Sequence, residues 1–327
     1  MAFIAALAVA TAVFYTGWDL LGARGLKPED RIDSKTLFDL VKLSFGVVAG
    51  AGALVALVVA YRCQRVDEAG AYREDTRLHT ERFSQAVDKL GSDSPAVRLG
   101  GVHALAGLVD DAPDDSLRQT CIDVLCAYLQ LPFTPDPGDD PADQEEHHRY
   151  LALRKVRHTI LHLIGDHYRR PRGTHGSWEG CNLNLNGVTI DGPMDVSGAT
   201  FSGGAVAFGG AAFSAGTVDF NRATFSGGRV HFDGAAFSAG TVNFDGAAFS
   251  GGFVSFDRAT FSGGTVEFDG AAFSDGTVHF HNAAFSGGRV TFEGARGPVP
   301  VGLLAATNTR TSAAVLVLPP AWLASNP

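Results

Sequence analysis

The histidines of one predicted helix are the first candidates for chemistry in this chain. His158 and His162 stand four residues apart, a spacing that places two metal ligands on one face of a helix. A zinc protease would also need a glutamate between them as its base, and the intervening residues are Thr159, Ile160 and Leu161. The pattern therefore favours solvated helix histidines over a metal site. The same interpretation covers His147, His148 and His167.

The cysteines are the second candidates. Cys121 and Cys126 are five residues apart on a predicted helix, a spacing that does not bring two side chains together. Because Cys121 falls on the apolar stripe of that helix, buried thiols are favoured over a metal site. Cys63 follows Arg62 at a predicted membrane edge and could accept a lipid, although no sequence rule assigns one. The four cysteines, which include Cys181, form no framework typical of an oxidising compartment.

Most of the remaining polar residues belong to a repeat. A twelve-residue unit, Ala-x-Phe-Ser-x-Gly-x-Val-x-Phe-x-x, occurs eight times between Ala199 and Gly294. Twice in each unit an apolar residue precedes a phenylalanine by two positions, which puts both side chains on one face of a strand. The phenylalanines recur at alternating intervals of seven and five residues, which no helical period places on one face. The predicted β core consists of Phe201, Phe208, Phe213, Phe220, Phe225, Phe232, Phe237, Phe244, Phe249, Phe256, Phe261, Phe268, Phe273, Phe280, Phe285 and Phe292.

The other positions of the unit are interpreted as structural. Glycine at the sixth position suits a turn with positive φ, and serine at the fourth can bond a turn amide. No glycine pair leads into a helix or precedes the Lys-Ser/Thr of a phosphate-binding loop. The ninth position points outward and varies, which indicates a solvated face and not a Ser/His/Asp site. Its residues are Ala207, Asp219, His231, Asn243, Ser255, Glu267, His279 and Thr291.

The array resembles the pentapeptide-repeat family, whose units centre on Leu or Phe with Ala two residues before. Ala-Thr-Phe-Ser-Gly at 199–203 and Ala-Ala-Phe-Ser-Gly at 247–251 and 283–287 match that unit, while the Val-x-Phe halves are stretched to seven residues. The resemblance implies a right-handed quadrilateral β-solenoid over roughly residues 182–294. Its degenerate upstream positions are Leu183, Leu185, Val188, Ile190, Met194 and Val196.

The number of units in one coil is left open by the pattern. Two units close one four-sided coil if each short strand forms one side, and a single unit closes one flattened coil. The family resemblance favours the four-sided version. Four such coils, about 4.8 Å apart, make the eight perfect units a rod about 19 Å long.

The N-terminal region is predicted to be a membrane anchor over residues 1–61. Leu43 to Tyr61 is an uncharged run of 19 residues, which at about 1.5 Å per residue crosses a hydrocarbon core of about 30 Å. Ala2 to Gly17 is apolar and shorter, and it lacks the positive region that begins a signal peptide. We therefore predict two transmembrane helices joined by the loop 19–42. Gly46 and Gly50 could seat a second helix or another copy of the chain, although small-residue content alone also explains them.

The orientation of this anchor is not decided by its charges, because basic residues are equally frequent on both sides of the second span. The C-terminal part has no export signal and no disulfide framework. We therefore expect a multi-pass protein of the inner (plasma) membrane with residues 62–327 in the cytoplasm.

The rest of the chain divides into five further segments. Residues 62–131 are predicted to form a helical stalk and a helix pair of HEAT-like texture, and residues 132–143 an extended Pro/Asp-rich linker. Residues 144–177 form a helix and connector, residues 178–294 the solenoid, and residues 295–327 a cap or tail on its last coil. The twin spans and the helical stretch resemble membrane-anchored pentapeptide-repeat proteins of high-GC actinobacteria, which an arginine-to-lysine ratio of 21 to 5 fits.

These features favour a membrane-tethered, non-catalytic interaction or scaffold protein, in which an anchored rod is presented to an unknown protein partner. The family resemblance adds a gyrase-directed DNA mimic as the alternative. The array carries eight acidic and four basic residues, a net charge of −4, against about eleven phosphates over the same length of duplex. An enzyme is the third class, and no catalytic residue, metal or cofactor is predicted. With a net charge of −9 and no basic face, binding to nucleic acid is not expected.

Overall fold

The computed structural model describes residues 11, 15–16, 18–19, 33–132, 136–138, 140, 143–308 and 310–324. The chain forms two compact units, residues 1–74 and residues 75–327. Most of the predicted first span and its loop lie outside the described residues. Helix α1 (Ser34–Leu90) contains the predicted second span. By length and composition, it is long and apolar enough to cross a membrane.

Three more helices stand before the repeats. Helix α2 (Pro95–Asp110) begins after Ser94 with proline in its first turn, and α3 (Asp115–Gln130) begins after Asp114, whose carboxylate accepts the Leu117 amide at 2.9 Å. Helix α4 covers Gln144–Tyr168. Part of the predicted linker before α4 lies outside the described residues.

Twenty short strands follow. The first coil has β1 (Leu183–Asn184), β2 (Thr189–Ile190), β3 (Met194–Asp195) and β4 (Thr200–Phe201). The second has β5 (Ala205–Ala207), β6 (Ala212–Phe213), β7 (Thr217–Asp219) and β8 (Thr224–Phe225). The third has β9 (Arg229–His231), β10 (Ala236–Phe237), β11 (Thr241–Asn243) and β12 (Ala248–Phe249). The fourth has β13 (Phe253–Ser255), β14 (Thr260–Phe261), β15 (Thr265–Glu267) and β16 (Ala272–Phe273). The fifth has β17 (Thr277–His279), β18 (Ala284–Phe285) and β19 (Arg289–Thr291). The tail adds α5 (Leu303–Thr307), β20 (Val315–Val317) and α6 (Pro320–Ala324).

These strands form a four-sided β-solenoid of about six turns. The tail supplies part of the sixth turn, where Val301 pairs with His279 and β20 pairs with β19. Every fourth strand is paired in parallel, so that four sheets run along the axis. Phe213 is the partner of Phe237, and Val218 is the partner of Val242, 24 residues further along the chain. Two twelve-residue units therefore make one coil, which confirms the four-sided version.

The core of the solenoid is a set of four phenylalanine ladders. Equivalent rings in successive coils stack nearly parallel, for example Phe225 on Phe249 with centroids 4.8 Å apart and planes 3° apart. All sixteen phenylalanines of the units are 3% exposed or less. Burying a phenylalanine side chain contributes about 1.5–3 kcal/mol, and stacked rings add to this. The ladders therefore contribute apolar contact between successive coils.

The two ends of the solenoid are covered. At the first coil, α4 approaches so closely that a Cβ on Gly165 would lie 2.3 Å from the Asp195 carbonyl oxygen, and the Tyr168 ring packs 5.4 Å from Phe201. At the last coil, β20 extends the β19 sheet and the Trp322 ring lies 5.7 Å from Phe273. These contacts shield ring layers and strand edges that would otherwise be open.

The prediction for the sixth-position glycines needs a correction. Gly216 and its equivalents between the second and third sides of the coil have positive φ, but Gly228, Gly252 and Gly276 do not. At Gly228 a Cβ would lie 2.9 Å from the Gly203 carbonyl oxygen of the preceding coil. Glycine is needed there because neighbouring coils approach closely. A second left-handed position is the twelfth, where even Arg222, Arg258 and Asn282 have positive φ.

Candidate functional site

The 24-residue coil sorts the outward residues of the solenoid onto separate sides. Strands such as β6 and β8 present alanine or threonine outward, so two sides of the rod are small and uncharged. The strands between them present the ninth-position residues and the residues two positions further on. Nearly all the polar chemistry of the array therefore lies on two of the four sides.

We call the first of these sides the histidine face. It lies over the sheet β1-β5-β9-β13-β17. His231 Nδ1 lies 3.2 Å from Asp233 Oδ2, and His281 Nδ1 lies 3.2 Å from Asp257 Oδ1. The hydroxyl of Ser255 donates to the Asp233 carboxylate. The residues of this face are Ala205, Ala207, Arg229, His231, Asp233, Phe253, Ser255, Asp257, Thr277, His279 and His281.

The second side, which we call the acidic face, lies over the sheet β3-β7-β11-β15-β19. Partial burial, with the Asp269 and Asp219 carboxylates nearby, raises the pKa of Asp245. Partial burial also raises the pKa of Glu267, with Asp245 and Asp269 contributing. The residues of this face are Thr217, Asp219, Asn221, Thr241, Asn243, Asp245, Thr265, Glu267, Asp269, Arg289, Thr291 and Glu293.

The backbone of the acidic face is braced by its own carboxylates. Asp245 Oδ1 accepts the backbone amide of Asp269 at 2.9 Å, and Asp269 Oδ1 accepts the backbone amide of Glu293 at 2.8 Å. Each of these hydrogen bonds joins one coil to the next. The like charges are thus held at coil spacing, about 4.8 Å. After partial burial, the neighbouring carboxylates contribute to the raised pKa values of Asp245 and Glu267, and a cationic group could relieve this repulsion.

The interpretation of the ninth position as one freely varying solvated face is wrong. Successive units face opposite sides of the coil, so pooling their residues mixed two different surfaces. On the histidine face the position holds Ala207, His231, Ser255 and His279, and on the acidic face it holds Asp219, Asn243, Glu267 and Thr291.

The prediction of solvated histidines in α4 is also wrong for two of them. His158 Nε2 lies 3.0 Å from Asp191 Oδ1, whereas His162 pairs with Asp166 at 3.2 Å, so the two rings do not share a site. His167 is 5% exposed and its ring stacks on Trp178. Both His158, which is partly buried, and His167, which is buried, fasten α4 to the solenoid or its approach.

Asp191 is the centre of the first of these fastenings, at a corner of the first coil. It is 8% exposed and also accepts the Arg154 Nε–H at 2.8 Å. Burial alone would raise the pKa of Asp191, but the hydrogen bonds from His158 and Arg154 outweigh it and lower the pKa to about 2. A Cβ on Gly192 would overlap the His158 ring. The corner is therefore shaped to receive α4.

Asp110 is the centre of the second fastening. Its carboxylate accepts the Trp178 Nε1–H at 3.1 Å and lies 3.2 Å from His167 Nε2. This joins the end of α2 to the end of α4 and to the segment that enters the solenoid. Aspartate, histidine and tryptophan here hold three elements together.

The cysteines are buried as predicted in α3. Cys121 Sγ lies 3.8 Å from His79 Nε2, a pair of the types that form nucleophilic dyads. Burial raises the pKa of Cys121 to about 11, and burial also lowers the pKa of His79. Burial raises the pKa of Cys126 to about 12. Both thiols are therefore protonated at neutral pH, which is the opposite of an activated nucleophile.

Among the described residues, one group of histidine, cysteine and carboxylate side chains has the geometry to hold a metal ion. It consists of Asp257, His279 and His281 on the histidine face. The sequence patterns did not single it out because its members belong to different units. The signal that finds it is the 24-residue coil, which brings Asp257 beside His281.

Comparison of the chain with protein-family models, with curated proteins and with solved structures finds no match. The functional argument therefore rests on the two polar faces and on the fastenings that position them.

Proposed function

We propose that this chain is a membrane-tethered, non-catalytic interaction protein of the pentapeptide-repeat type, and that its acidic face binds a basic segment of a protein partner. The observation that carries the proposal is the segregation of carboxylates on one side of a rod. Asp219, Asp245, Glu267, Asp269 and Glu293 share this side, with Arg289 beside Glu267. A basic partner would relieve their mutual repulsion.

The anchor supports the tethered part of the proposal. Helix α1 contains one segment suited to a membrane, and we place residues 62–327 on the cytoplasmic side. A cysteine introduced at the exposed Asp275, in a Cys63→Ser background, tests this orientation. A membrane-impermeant maleimide should label it only after the cells are opened, and labelling of intact cells would contradict the assignment.

The interaction itself is tested by crosslinking and capture from native membranes, with a full chain carrying Glu267→Gln and Asp269→Asn as the comparison. These changes preserve side-chain size and remove two charges from the centre of the face. Asp233→Asn with Asp257→Asn is the matched control, because it removes two charges from the opposite side. Loss of one specific partner in the first variant only is the expected result, and equal capture by all three proteins would overturn the proposal.

A DNA mimic directed at gyrase is the second candidate, because the same segregation places negative charge along one line. The stripe is sparser than a duplex, which has one charge per about 1.7 Å. Inhibition of gyrase supercoiling by the purified full chain, abolished by the acidic-face variant, would favour this candidate over the protein partner.

A further inference from the structure

We propose that Asp257, His279 and His281 form a binding site for a divalent transition-metal ion such as Zn²⁺. This goes beyond the proposed function, because the site requires no protein partner and lies on the opposite side of the rod from the acidic face. It depends on three side chains that two successive coils bring together.

Strand alternation and coil stacking place these three residues. His279 ends β17 and points outward between the buried Val278 and Phe280, and His281 is the next outward residue. Asp257 lies one coil earlier, where its neighbour Arg258 donates its amide to the His281 carbonyl oxygen at 2.8 Å. One possible ligand atom from each of the three side chains lies within 4.8 Å of the other two.

The rigid coil also orients the side chains. Asp257 Oδ1 accepts the His281 backbone amide at 2.7 Å, so the carboxylate is fixed by the main chain of the next coil. The His279 ring packs edge-on against Phe253 at 5.1 Å, and its centroid lies 5.0 Å from that of His281. Contacts of this kind, which hold ligands in place, strengthen metal binding.

The donor set selects the class of metal. Two imidazoles and one carboxylate suit Zn²⁺, Co²⁺, Ni²⁺ or Cu²⁺, whereas Ca²⁺ and Mg²⁺ prefer oxygen ligands alone. Ligand atoms around tetrahedral zinc are about 3.4 Å apart, and the His281 side chain, 49% exposed, can rotate to reach this spacing. Three protein ligands leave at least one position for water or an added ligand.

The chain provides its own matched control two coils away. His231 lies on the same face in the register of His279, and it pairs with Asp233 of its own coil, whereas His281 pairs with Asp257 of the preceding coil. The residues aligned with His231 in the two adjacent coils are Ala207 and Ser255, so His231 has no second imidazole beside it on this sheet. Removal of His231 should therefore leave the proposed site intact.

The test is equilibrium dialysis of the full chain in detergent against Zn²⁺, with Co²⁺ absorption spectra as a second readout. The protein carries no histidine tag, and Cys63→Ser removes the exposed thiol. The variants are His279→Ala, His281→Ala, Asp257→Asn and, as the control, His231→Ala. Asn186 Oδ1 already accepts the Gly209 amide in the first coils, so asparagine at 257 can preserve the hydrogen bond between coils.

We expect tight binding of one Zn²⁺ that weakens at least tenfold in each of the three site variants and is unchanged in His231→Ala. Tetrahedral Co²⁺ bands should disappear with the same variants. The proposal is overturned if His279→Ala binds Zn²⁺ as tightly as the parent protein. It is also overturned if His231→Ala weakens Zn²⁺ binding as much as the three site variants do. Circular dichroism of each variant separates loss of the site from loss of the fold. If either alanine variant unfolds, the comparison of Asp257→Asn with the parent protein tests the proposal.

Discussion

The ring of Phe244 lies 4.7 Å from the ring of Phe268, centroid to centroid, and the two planes differ by 3°. The two residues are one coil apart, so this contact expresses the 24-residue period directly. The same period separates the histidine face from the acidic face. Core packing and surface chemistry therefore have a single origin in this chain.

Truncation of a ladder ring should be costly. Phe244→Ala leaves a cavity between two stacked neighbours, and we expect a loss of about 3–5 kcal/mol in the free energy of unfolding, measured by urea denaturation. Phe253→Ala is the control, because Phe253 points outward on the histidine face and is only partly buried. Its loss should stay below about 1 kcal/mol. Equal losses at the two positions would mean that the ladders do not carry the stability.

The Asp191 fastening should give the protein a distinct acid sensitivity. The pKa of Asp191 in the fold, about 2, is below its ordinary value of 3.8. Its charged form therefore stabilises the fold by about 2 kcal/mol above pH 3.8, and this is lost as the pH falls from 3.8 towards 2. Asp191→Asn should unfold at lower urea at pH 7, and its deficit should shrink at pH 3.

The control for this titration is Asp275→Asn, at an exposed corner. It should change stability by no more than about 0.5 kcal/mol at either pH. A deficit in Asp191→Asn that stayed constant from pH 7 to pH 3 would contradict the role given to its charge.

Two glycines of α2 should respond oppositely to alanine. At Gly101 a Cβ would lie 2.7 Å from the Leu90 backbone nitrogen, and at Gly107 nothing lies within 4 Å. Gly101→Ala should force α1 and α2 apart and cost about 1–3 kcal/mol. Gly107→Ala should stabilise the helix by about 0.5–1 kcal/mol. Thermal unfolding of both variants measures the difference, and a stabilising Gly101→Ala would disprove the close helix crossing.

The sequence was sufficient to predict the solenoid, its inward phenylalanines and the apolar helix, because these depend on local spacing. The sequence did not predict which outward residues share a side of the rod. The side on which His279 lies depends on whether one or two units close a coil. The sequence also did not predict the contact between Asp191 and His158. The position of Asp191 depends on the path of the first coil, which is irregular: Ile190 aligns with Phe213 after 23 residues, and Met194 aligns with Val218 after 24.

The most direct test of the central claim compares two proteins that both lack residues 235–258. This deletion takes out one whole coil and keeps each face continuous, with Asp219, Glu267, Asp269 and Glu293 still on the acidic face. The second protein also carries Glu267→Gln and Asp269→Asn. The two proteins therefore have the same number of coils and differ in the charge of the acidic face.

The measurement is the affinity of each deletion protein for the captured partner, after circular dichroism has established that both are folded. If the continuous acidic face binds the partner, the protein that lacks residues 235–258 should retain binding, and the added Glu267→Gln and Asp269→Asn should weaken the binding by more than tenfold. Equal affinity in the two proteins would contradict the account.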